Sequence, residues 1–140
     1  MQATSNWFDA SNKRFDSWGS SPSVVHLRQY TAEMVETGEG SPIVIVPGLA
    51  GGFGLLGPLA RALGRTNRVY SYQLRGESDC FVLRRPFDLD DLIDDLAELL
   101  DVLRLERPTI MGVSFGGIIA LKFGIRYPNR LNRLLAPGTG

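Results

Sequence analysis

The strongest constraint on the fold is a short passage in which an apolar run leads directly into a serine. The run covers residues 109–113 and is followed by Ser114. Gly112 and Gly116 stand two positions before and after that serine, and an apolar helical pattern continues over residues 115–127. Small residues at these positions allow a strand and a helix to pass close to each other at a sharp turn. The pattern predicts a strand that turns abruptly into a helix and holds one hydroxyl clear of the turn.

Strand patterns alternate with helix patterns through most of the remaining chain. This alternation predicts an α/β fold, with a doubly wound, mostly parallel sheet covered on both faces by helices. The loops that follow the strands then meet at one edge of the sheet, which brings the loops after Val46 and Val113 together. The predicted elements are a strand or short hairpin over 24–36, strands over 43–46, 69–72, 109–113 and 131–136, and helices over 55–63, 88–104 and 115–127.

The predicted helix over residues 88–104 carries most of the acidic side chains of its region. Its leucines and Ile93 recur at steps of three, four and seven, which forms one apolar stripe along the helix. Seven acidic residues lie between Asp88 and Asp101, mostly off that stripe. We interpret them as the solvent-exposed face of the helix rather than as a metal site.

The first 22 residues differ in composition from the rest of the chain. They are rich in Ser, Asn and Asp and end in Gly19-Ser20-Ser21-Pro22, and four aromatic residues interrupt their polarity: Trp7, Phe8, Phe15 and Trp18. We predict a flexible polar leader over residues 1–22 that docks loosely on a domain over residues 23–140. A helix that binds a partner is the less favoured interpretation of the aromatic residues.

Length and charge exclude several classes of protein. A chain of 140 residues, 44% of them hydrophobic, is long enough for one domain with one core. Its 15 basic and 15 acidic residues give a net charge of zero, so nothing favours nucleic acid or an anionic membrane as a partner. No apolar run approaches the roughly 20 residues of a membrane span. A single cysteine, Cys80, fits a reducing compartment, and we expect a cytoplasmic location.

Ser114 in such a turn indicates nucleophilic chemistry. A serine hydroxyl needs a base to accept its proton and N–H donors to stabilise the oxyanion that forms on attack. At a turn of this kind, the backbone N–H of Phe115 faces the reacting carbonyl, and we predict the Leu49 N–H as the second donor, with Ala50 less favoured. Gly48 and the glycines after it would let the backbone of that loop approach a ligand closely. The structural alternative is a small residue at a tight turn with no chemistry.

These segments resemble the N-terminal portion of the α/β-hydrolase family, of the serine-nucleophile type, over about residues 24–137. Ser114 matches the nucleophile of that family, and Gly112 and Gly116 match the glycines around it. Pro47-Gly48-Leu49 stands where the family has a His-Gly-x oxyanion loop, and residues 72–76 resemble its Asp-x-Arg-Gly segment. Tyr127-Pro128-Asn129-Arg130-Leu131 is similar to its step into the next strand. In this chain Pro47 replaces the loop histidine, Gln73 replaces the aspartate, and Ser78 stands in place of a turn glycine.

The resemblance implies hydrolysis of an ester or related acyl substrate, a small molecule, through an acyl-enzyme, with no cofactor and no metal. In this family the triad acid and histidine lie beyond the strand that follows the nucleophile helix. The chain ends at Gly140, just past that strand, so we expect an incomplete fragment that is inactive alone. A non-catalytic pseudoenzyme or binding module of the same fold is the alternative. Neither substrate identity nor oligomeric state follows from the sequence.

Other candidate residues lack the context for catalysis. His26 is the single histidine of the chain, and the topology of the family places its strand far from Ser114. We therefore predict that it is a surface or packing residue and not the base. The acids Glu77, Asp79 and Asp88 do not activate a serine without an imidazole. Cys80 has no glycine turn around it and is interpreted as a structural or free thiol.

A dinucleotide-binding domain is a further alternative. Residues 52–57 read Gly-Phe-Gly-Leu-Leu-Gly ahead of a helix, and Arg75 after the next strand suggests a contact to the 2′-phosphate of NADP. The first glycine of this motif comes too late after the strand that ends at Val46, and Gln73 stands where an acidic residue is expected. The hydrolase interpretation is therefore preferred.

Overall fold

The computed structural model describes residues 17–48, 52–76 and 86–138. Six strands, three α-helices and one short 3₁₀-helix follow one another along these parts of the chain. In chain order they are β1 (Ser23–His26), β2 (Thr31–Thr37), β3 (Ser41–Val46), α1 (Gly52–Leu63), β4 (Asn67–Tyr72), α2 (Leu89–Val102), β5 (Thr109–Gly112), α3 (Phe115–Arg126), the 3₁₀-helix (Pro128–Arg130) and β6 (Arg133–Leu135).

The strands form one mixed sheet in the order β1-β2-β4-β3-β5-β6. β1 pairs with β2, and β2 with β4, in antiparallel fashion, whereas β4, β3, β5 and β6 run parallel. The first two strands are therefore the hairpin that was one of the two predictions for residues 24–36. The prediction of an α/β fold with a doubly wound, mostly parallel sheet is confirmed.

Helices cover both faces of the sheet. On one face, α2 and α3 pack over Val44, Val46, Tyr72 and Ile110, and this forms the larger core cluster. On the other face, Leu56 and Ala60 of α1 pack over Ile43, Ile45 and Val69. β3 lies between these layers, which explains its continuous apolar sequence Ile43-Val44-Ile45-Val46, buried throughout.

Most predicted element boundaries differ from the structure by one to three residues; α1, for example, begins at Gly52 and not at residue 55. Two of these differences have a clear local reason. α2 ends at Val102 and not at Arg104, because Arg104 adopts a left-handed conformation (φ 56°) and the Leu105 N–H donates to the Leu100 carbonyl oxygen at 2.9 Å. That is a Schellman-type helix end, which stops further helical turns. β6 is shorter than predicted, because residues 128–130 form a 3₁₀ turn and only residues 133–135 pair with β5.

The interpretation of all acids of α2 as solvent-exposed is wrong for Asp95. Asp88 caps the helix and accepts a hydrogen bond from the Asp91 N–H, while Asp90, Asp94 and Asp101 are exposed and accept hydrogen bonds from arginines. Asp95, however, is only 2% exposed, since it faces the sheet between apolar neighbours on the buried side of the helix. Arg75, three residues after the end of β4, pairs with Asp95 and makes this burial possible.

The part of the predicted leader that the structure describes packs against the domain. Trp18 is 1% exposed and belongs to the core cluster under α1. The Ser20 hydroxyl donates to the Glu36 carbonyl oxygen at 2.6 Å. Residues 17–20 are therefore more firmly docked than a loose leader would be. Trp7, Phe8 and Phe15 lie outside the described residues, and the boundary between residues 22 and 23 stays a prediction.

Candidate active site

The sheet topology defines one crevice at its carboxyl edge. After β3 the chain crosses to β4 on one side, and after β5 it crosses to β6 on the other side. β3 and β5 are neighbours in the sheet, so the loops that follow them diverge and leave a crevice between them. In open α/β sheets, ligands bind at this kind of switch point. Pro47 and Gly48 follow β3 at this crevice, and Val113 and Ser114 follow β5.

Ser114 has an unusual backbone conformation. Its φ of 56° and ψ of −121° lie outside the extended region that a helix N-cap serine normally adopts. The residue is exposed, and α3 begins immediately after it, at Phe115. Ser114 thus stands in a strained conformation between a buried strand and a helix.

Three glycines make this turn sterically possible. A Cβ atom on Gly112 would stand 2.2 Å from the Gly116 carbonyl oxygen, and one on Gly116 would stand 2.0 Å from the Val46 carbonyl oxygen. Gly48 lies opposite, where a Cβ atom would be 3.3 Å from the Val113 oxygen and 3.4 Å from the Ser114 Cβ. β3, β5 and the start of α3 thus approach one another with backbone against backbone.

Backbone hydrogen bonds hold the turn on both sides. The Val113 N–H donates to the Val46 carbonyl oxygen at 3.0 Å, which ties the end of β5 to the end of β3. The Gly117 N–H donates to the Ser114 carbonyl oxygen at 2.9 Å, which closes the first turn of α3. A longer contact of 3.4 Å joins the Ser114 N–H to the Pro137 carbonyl oxygen after β6.

The Phe115 N–H, the first predicted oxyanion donor, lies at the N-terminus of α3. As the first residue of α3, Phe115 carries one of the amides at a helix N-terminus, where the helix dipole is positive. Its nitrogen lies 3.9 Å from the position that a Cβ on Gly48 would take, so the loop after β3 passes directly beside it. The second predicted donor, Leu49, lies outside the described residues, as does Ala50.

The structure places His26 far from Ser114. His26 ends β1, the edge strand, and three other strands separate β1 from β5. At about 4.8 Å per strand spacing, the lateral separation is about 19 Å. The His26 ring nitrogen Nδ1 is hydrogen-bonded to the Thr31 hydroxyl at 3.2 Å. Of the other residues considered, Asp88 is a helix cap, while Glu77, Ser78, Asp79 and Cys80 lie outside the described residues.

Sequence reasoning missed a buried polar cluster beside the end of β4. Arg75 donates two hydrogen bonds to Asp95 and lies between the rings of Tyr30 and Phe87, 5.7 and 5.9 Å from their centroids. The Tyr30 hydroxyl donates to the Gln73 carbonyl oxygen at 2.8 Å. Burial raises the pKa of Asp95, although the hydrogen bonds from Arg75 oppose this shift. A signal was present, because Asp95 falls on the apolar side of α2, between Leu92 and Leu99.

The geometry around Arg75 and Gly57 removes the support for a dinucleotide site. Arg75 is 4% exposed and committed to Asp95, which leaves it out of reach of a 2′-phosphate. Gly57, the last glycine of the 52–57 motif, lies inside α1, where a Cβ would stand 2.1 Å from the Ser17 hydroxyl oxygen. This glycine thus accommodates a neighbouring chain segment. Within residues 17–48, 52–76 and 86–138, no three metal-ligating side chains form a cluster.

Comparisons with known proteins identify the fold family of the chain. A family model described as alpha/beta hydrolase fold matches residues 41–139. The putative carbamate hydrolase RutD of Yersinia enterocolitica is 33% identical over 105 residues, which is 71% of this chain and 38% of that protein. The 2-hydroxy-6-oxo-2,4-heptadienoate hydrolase of Pseudomonas putida is 32% identical over 110 residues, which is 74% of this chain and 39% of that protein.

A solved structure of a hydrolase from Pseudomonas aeruginosa superimposes with a TM-score of 0.75 and 26% identity over 81% of this chain and 44% of that one. The chain spans about two fifths of the length of the curated relatives that it matches. In the parts of the chain that the structure describes, no helix combines the length and apolar character needed to cross a bilayer.

Proposed function

The chain belongs to the α/β-hydrolase fold family, and on that basis we propose that Ser114 is the nucleophile of a serine hydrolase active site. The main support for this proposal is the backbone conformation of Ser114. A serine held at φ 56° and ψ −121°, exposed, at the switch point of the sheet and at the N-terminus of a helix, has a conformation that packing alone does not require.

The proposed chemistry is acyl transfer. The Ser114 hydroxyl oxygen attacks a carbonyl carbon, and the carbonyl oxygen takes up negative charge beside the N–H groups of Phe115 and Leu49. Each such donor contributes about 3 kcal/mol of transition-state stabilisation in a working hydrolase. Collapse of the intermediate expels the leaving group and leaves an acyl-enzyme on Ser114, which water then hydrolyses.

The proposed mechanism also needs a proton acceptor for the Ser114 hydroxyl. His26 is the single histidine of the sequence and lies about four strand spacings from Ser114, beyond hydrogen-bond reach. We therefore propose that the histidine and the carboxylate that orients it belong to further residues of the protein. The chain alone would then be an incomplete, poorly active serine hydrolase.

The proposed substrate class is a carboxylic ester or a related acyl compound of small size. Relatives of this chain are named for the hydrolysis of a carbamate and of 2-hydroxy-6-oxo-2,4-heptadienoate. Both names describe hydrolysis. This supports a hydrolytic reaction for this chain and does not specify its substrate.

Labelling with a fluorophosphonate tests the proposal. We expect slow labelling of the 140-residue chain, faster labelling when imidazole is added as an external base, and a modified peptide that contains Ser114. Ser114→Ala removes the label. Ser41→Ala is a matched control, since Ser41 is also exposed but starts β3 at the opposite edge of the sheet. Labelling that persists in Ser114→Ala would contradict the proposal.

A non-catalytic module of the same fold is the second candidate, and the distance of His26 from Ser114 favours it. This candidate predicts that Ser114 does not react with the fluorophosphonate even in the presence of imidazole. The two candidates therefore differ in the outcome of the same experiment.

A further inference from the structure

α1 has a sequence that forms a helix poorly by itself. Its 12 residues include Gly52, Gly54, Gly57 and Pro58. Glycine in a helix interior loses more backbone entropy than alanine, and proline removes a backbone donor. The helix therefore depends on packing against its neighbours to a greater degree than α2, which is capped and rich in leucine.

Part of that packing comes from the segment before β1. Trp18 is 1% exposed and belongs to the same core cluster as Leu56 and Ala60 of α1. The same cluster includes Met111 of β5, and Val113, the residue before Ser114, packs against it. The buried Trp18 side chain thus belongs to the cluster that joins α1 to β5, the strand before Ser114.

Ser17 lies so close to Gly57 that only glycine fits at position 57. A Cβ atom on Gly57 would stand 2.1 Å from the Ser17 hydroxyl oxygen and 2.8 Å from its carbonyl carbon. The Ser20 hydroxyl anchors the same segment to β2 through the Glu36 carbonyl oxygen. The segment is therefore tied to the sheet and lies directly against the middle of α1.

α1 is also joined closely to the crevice. Only three residues separate Gly48, which lies against Ser114, from Gly52, the first residue of α1. The structure links α1 to the turn at Ser114 through the shared core cluster, which includes Met111 of β5 and contacts Val113.

We propose that Ser17 and Trp18 act as a clamp that positions α1 and, through the core cluster that includes Met111 and contacts Val113, the turn at Ser114. Trp18 is in this view a positioning residue for acyl transfer, remote from the reacting atoms. This inference rests on the proposed function, because the position of this turn matters for catalysis only if Ser114 is the nucleophile.

Hydrogen exchange of backbone amides tests the clamp without reference to activity. Trp18→Leu is expected to raise exchange in a peptide covering residues 48–63 by tenfold or more, with smaller changes in α3. Leu99→Ala serves as the matched control, because Leu99 is fully buried in α2 on the opposite face of the sheet. In this variant we expect no selective rise of amide exchange in residues 48–63 compared with the rest of the chain. If both variants affect the whole chain equally, the clamp is overturned.

Gly57→Ala tests the direction in which amide exchange of α1 changes. By helix propensity alone, alanine should stabilise α1 and slow its exchange. The clamp predicts the reverse, because the added Cβ displaces Ser17 and Trp18 from the helix. Slower exchange in Gly57→Ala would overturn the proposal, and this variant keeps it testable if Trp18→Leu fails to fold.

Fluorophosphonate labelling in the presence of imidazole then links the clamp to catalysis. We expect Trp18→Leu and Gly57→Ala to reduce the rate at Ser114 by fivefold or more at a temperature where each variant is folded, whereas Leu99→Ala keeps the rate of the unmodified chain. An unchanged rate in both clamp variants would overturn the positioning role. Failure of the unmodified chain to react would instead contradict the proposed function, and the exchange data would still decide whether the clamp exists.

Discussion

Arg75 and Asp95 form a two-point ion pair in the interior of the protein, between the end of β4 and the middle of α2. The Arg75 Nε lies 3.0 Å from Asp95 Oδ2 and the Arg75 Nη2 lies 2.6 Å from Oδ1, and each side chain is 3% exposed. Because the pair is buried, either partner left alone would be an uncompensated charge in an apolar layer. The pair therefore fixes the position of α2 relative to the carboxyl edge of the sheet.

Breaking this pair from one side is expected to cost about 3–5 kcal/mol of unfolding free energy, because the remaining charge stays buried. Asp95→Asn and Arg75→Met are the single variants, and urea unfolding is the measurement. Replacing both partners with apolar residues, as in Arg75→Met with Asp95→Leu, should recover most of the loss.

The exposed pair Arg68–Glu36 is the matched control for that series. Its side chains are 50% and 41% exposed, and removal of either partner should cost less than about 1 kcal/mol. Equal effects of the buried and the exposed single variants would contradict the assignment of Asp95 to the interior.

Because two tyrosines are buried, we expect the free energy of unfolding to fall at high pH. Burial raises the pKa of Tyr30 and of Tyr72 above the usual value of about 10, and the negative charge of Asp95 adds to both shifts. Below that pH both folded and unfolded chains keep the phenol protons, so the contribution to stability is complete. As the pH rises further, the unfolded chain loses these protons while the folded chain keeps them. The free energy of unfolding then falls by up to about 1.4 kcal/mol per pH unit for each tyrosine.

Tyr72→Phe separates this effect from other groups that titrate at high pH. No described residue forms a hydrogen bond with the buried Tyr72 hydroxyl, so its removal should change stability little at pH 7. Urea unfolding between pH 8 and pH 11 should show a shallower loss in this variant. An identical pH dependence in the variant and the unmodified chain would contradict the prediction.

Gly116 and Gly124 both lie in α3, and alanine is expected to be damaging at the first site and nearly neutral at the second. At Gly116 the new Cβ would meet the Val46 and Pro47 carbonyl oxygens at 2.0 and 2.6 Å, and this backbone has no room to move. Gly116→Ala should destabilise the chain by about 1–3 kcal/mol and abolish fluorophosphonate labelling of Ser114.

At Gly124 the nearest atom is the mobile end of Leu134, 2.9 Å away. Gly124→Ala should therefore change unfolding free energy by less than about 1 kcal/mol, since helix propensity offsets the crowding, and it should leave labelling intact. A Gly116→Ala chain that still labels at the normal rate would show that the turn does not need this close approach.

Sequence patterns alone can predict an element when local packing determines its residue types. Ile43 to Val46 are apolar throughout because helices cover both faces of β3, and Gly112 and Gly116 flank Ser114 because the turn excludes Cβ atoms there. Asp95 could not be assigned from periodicity alone, since its burial depends on Arg75, which is 20 residues away in the sequence. The burial of Trp18 likewise depends on Leu56 and Ala60 of α1, which are far from it in the sequence. Such features arise from pairs of residues that a local pattern does not connect.

Reaction with p-nitrophenyl acetate, followed by mass analysis of the modified peptide, tests the central role of Ser114 most directly. We predict that imidazole accelerates acetyl transfer to the 140-residue chain, that the acetyl group is found on Ser114, and that Ser114→Ala abolishes the accelerated reaction. An acetyl group found on other residues, with the same rate in the unmodified chain and in Ser114→Ala, would contradict the account.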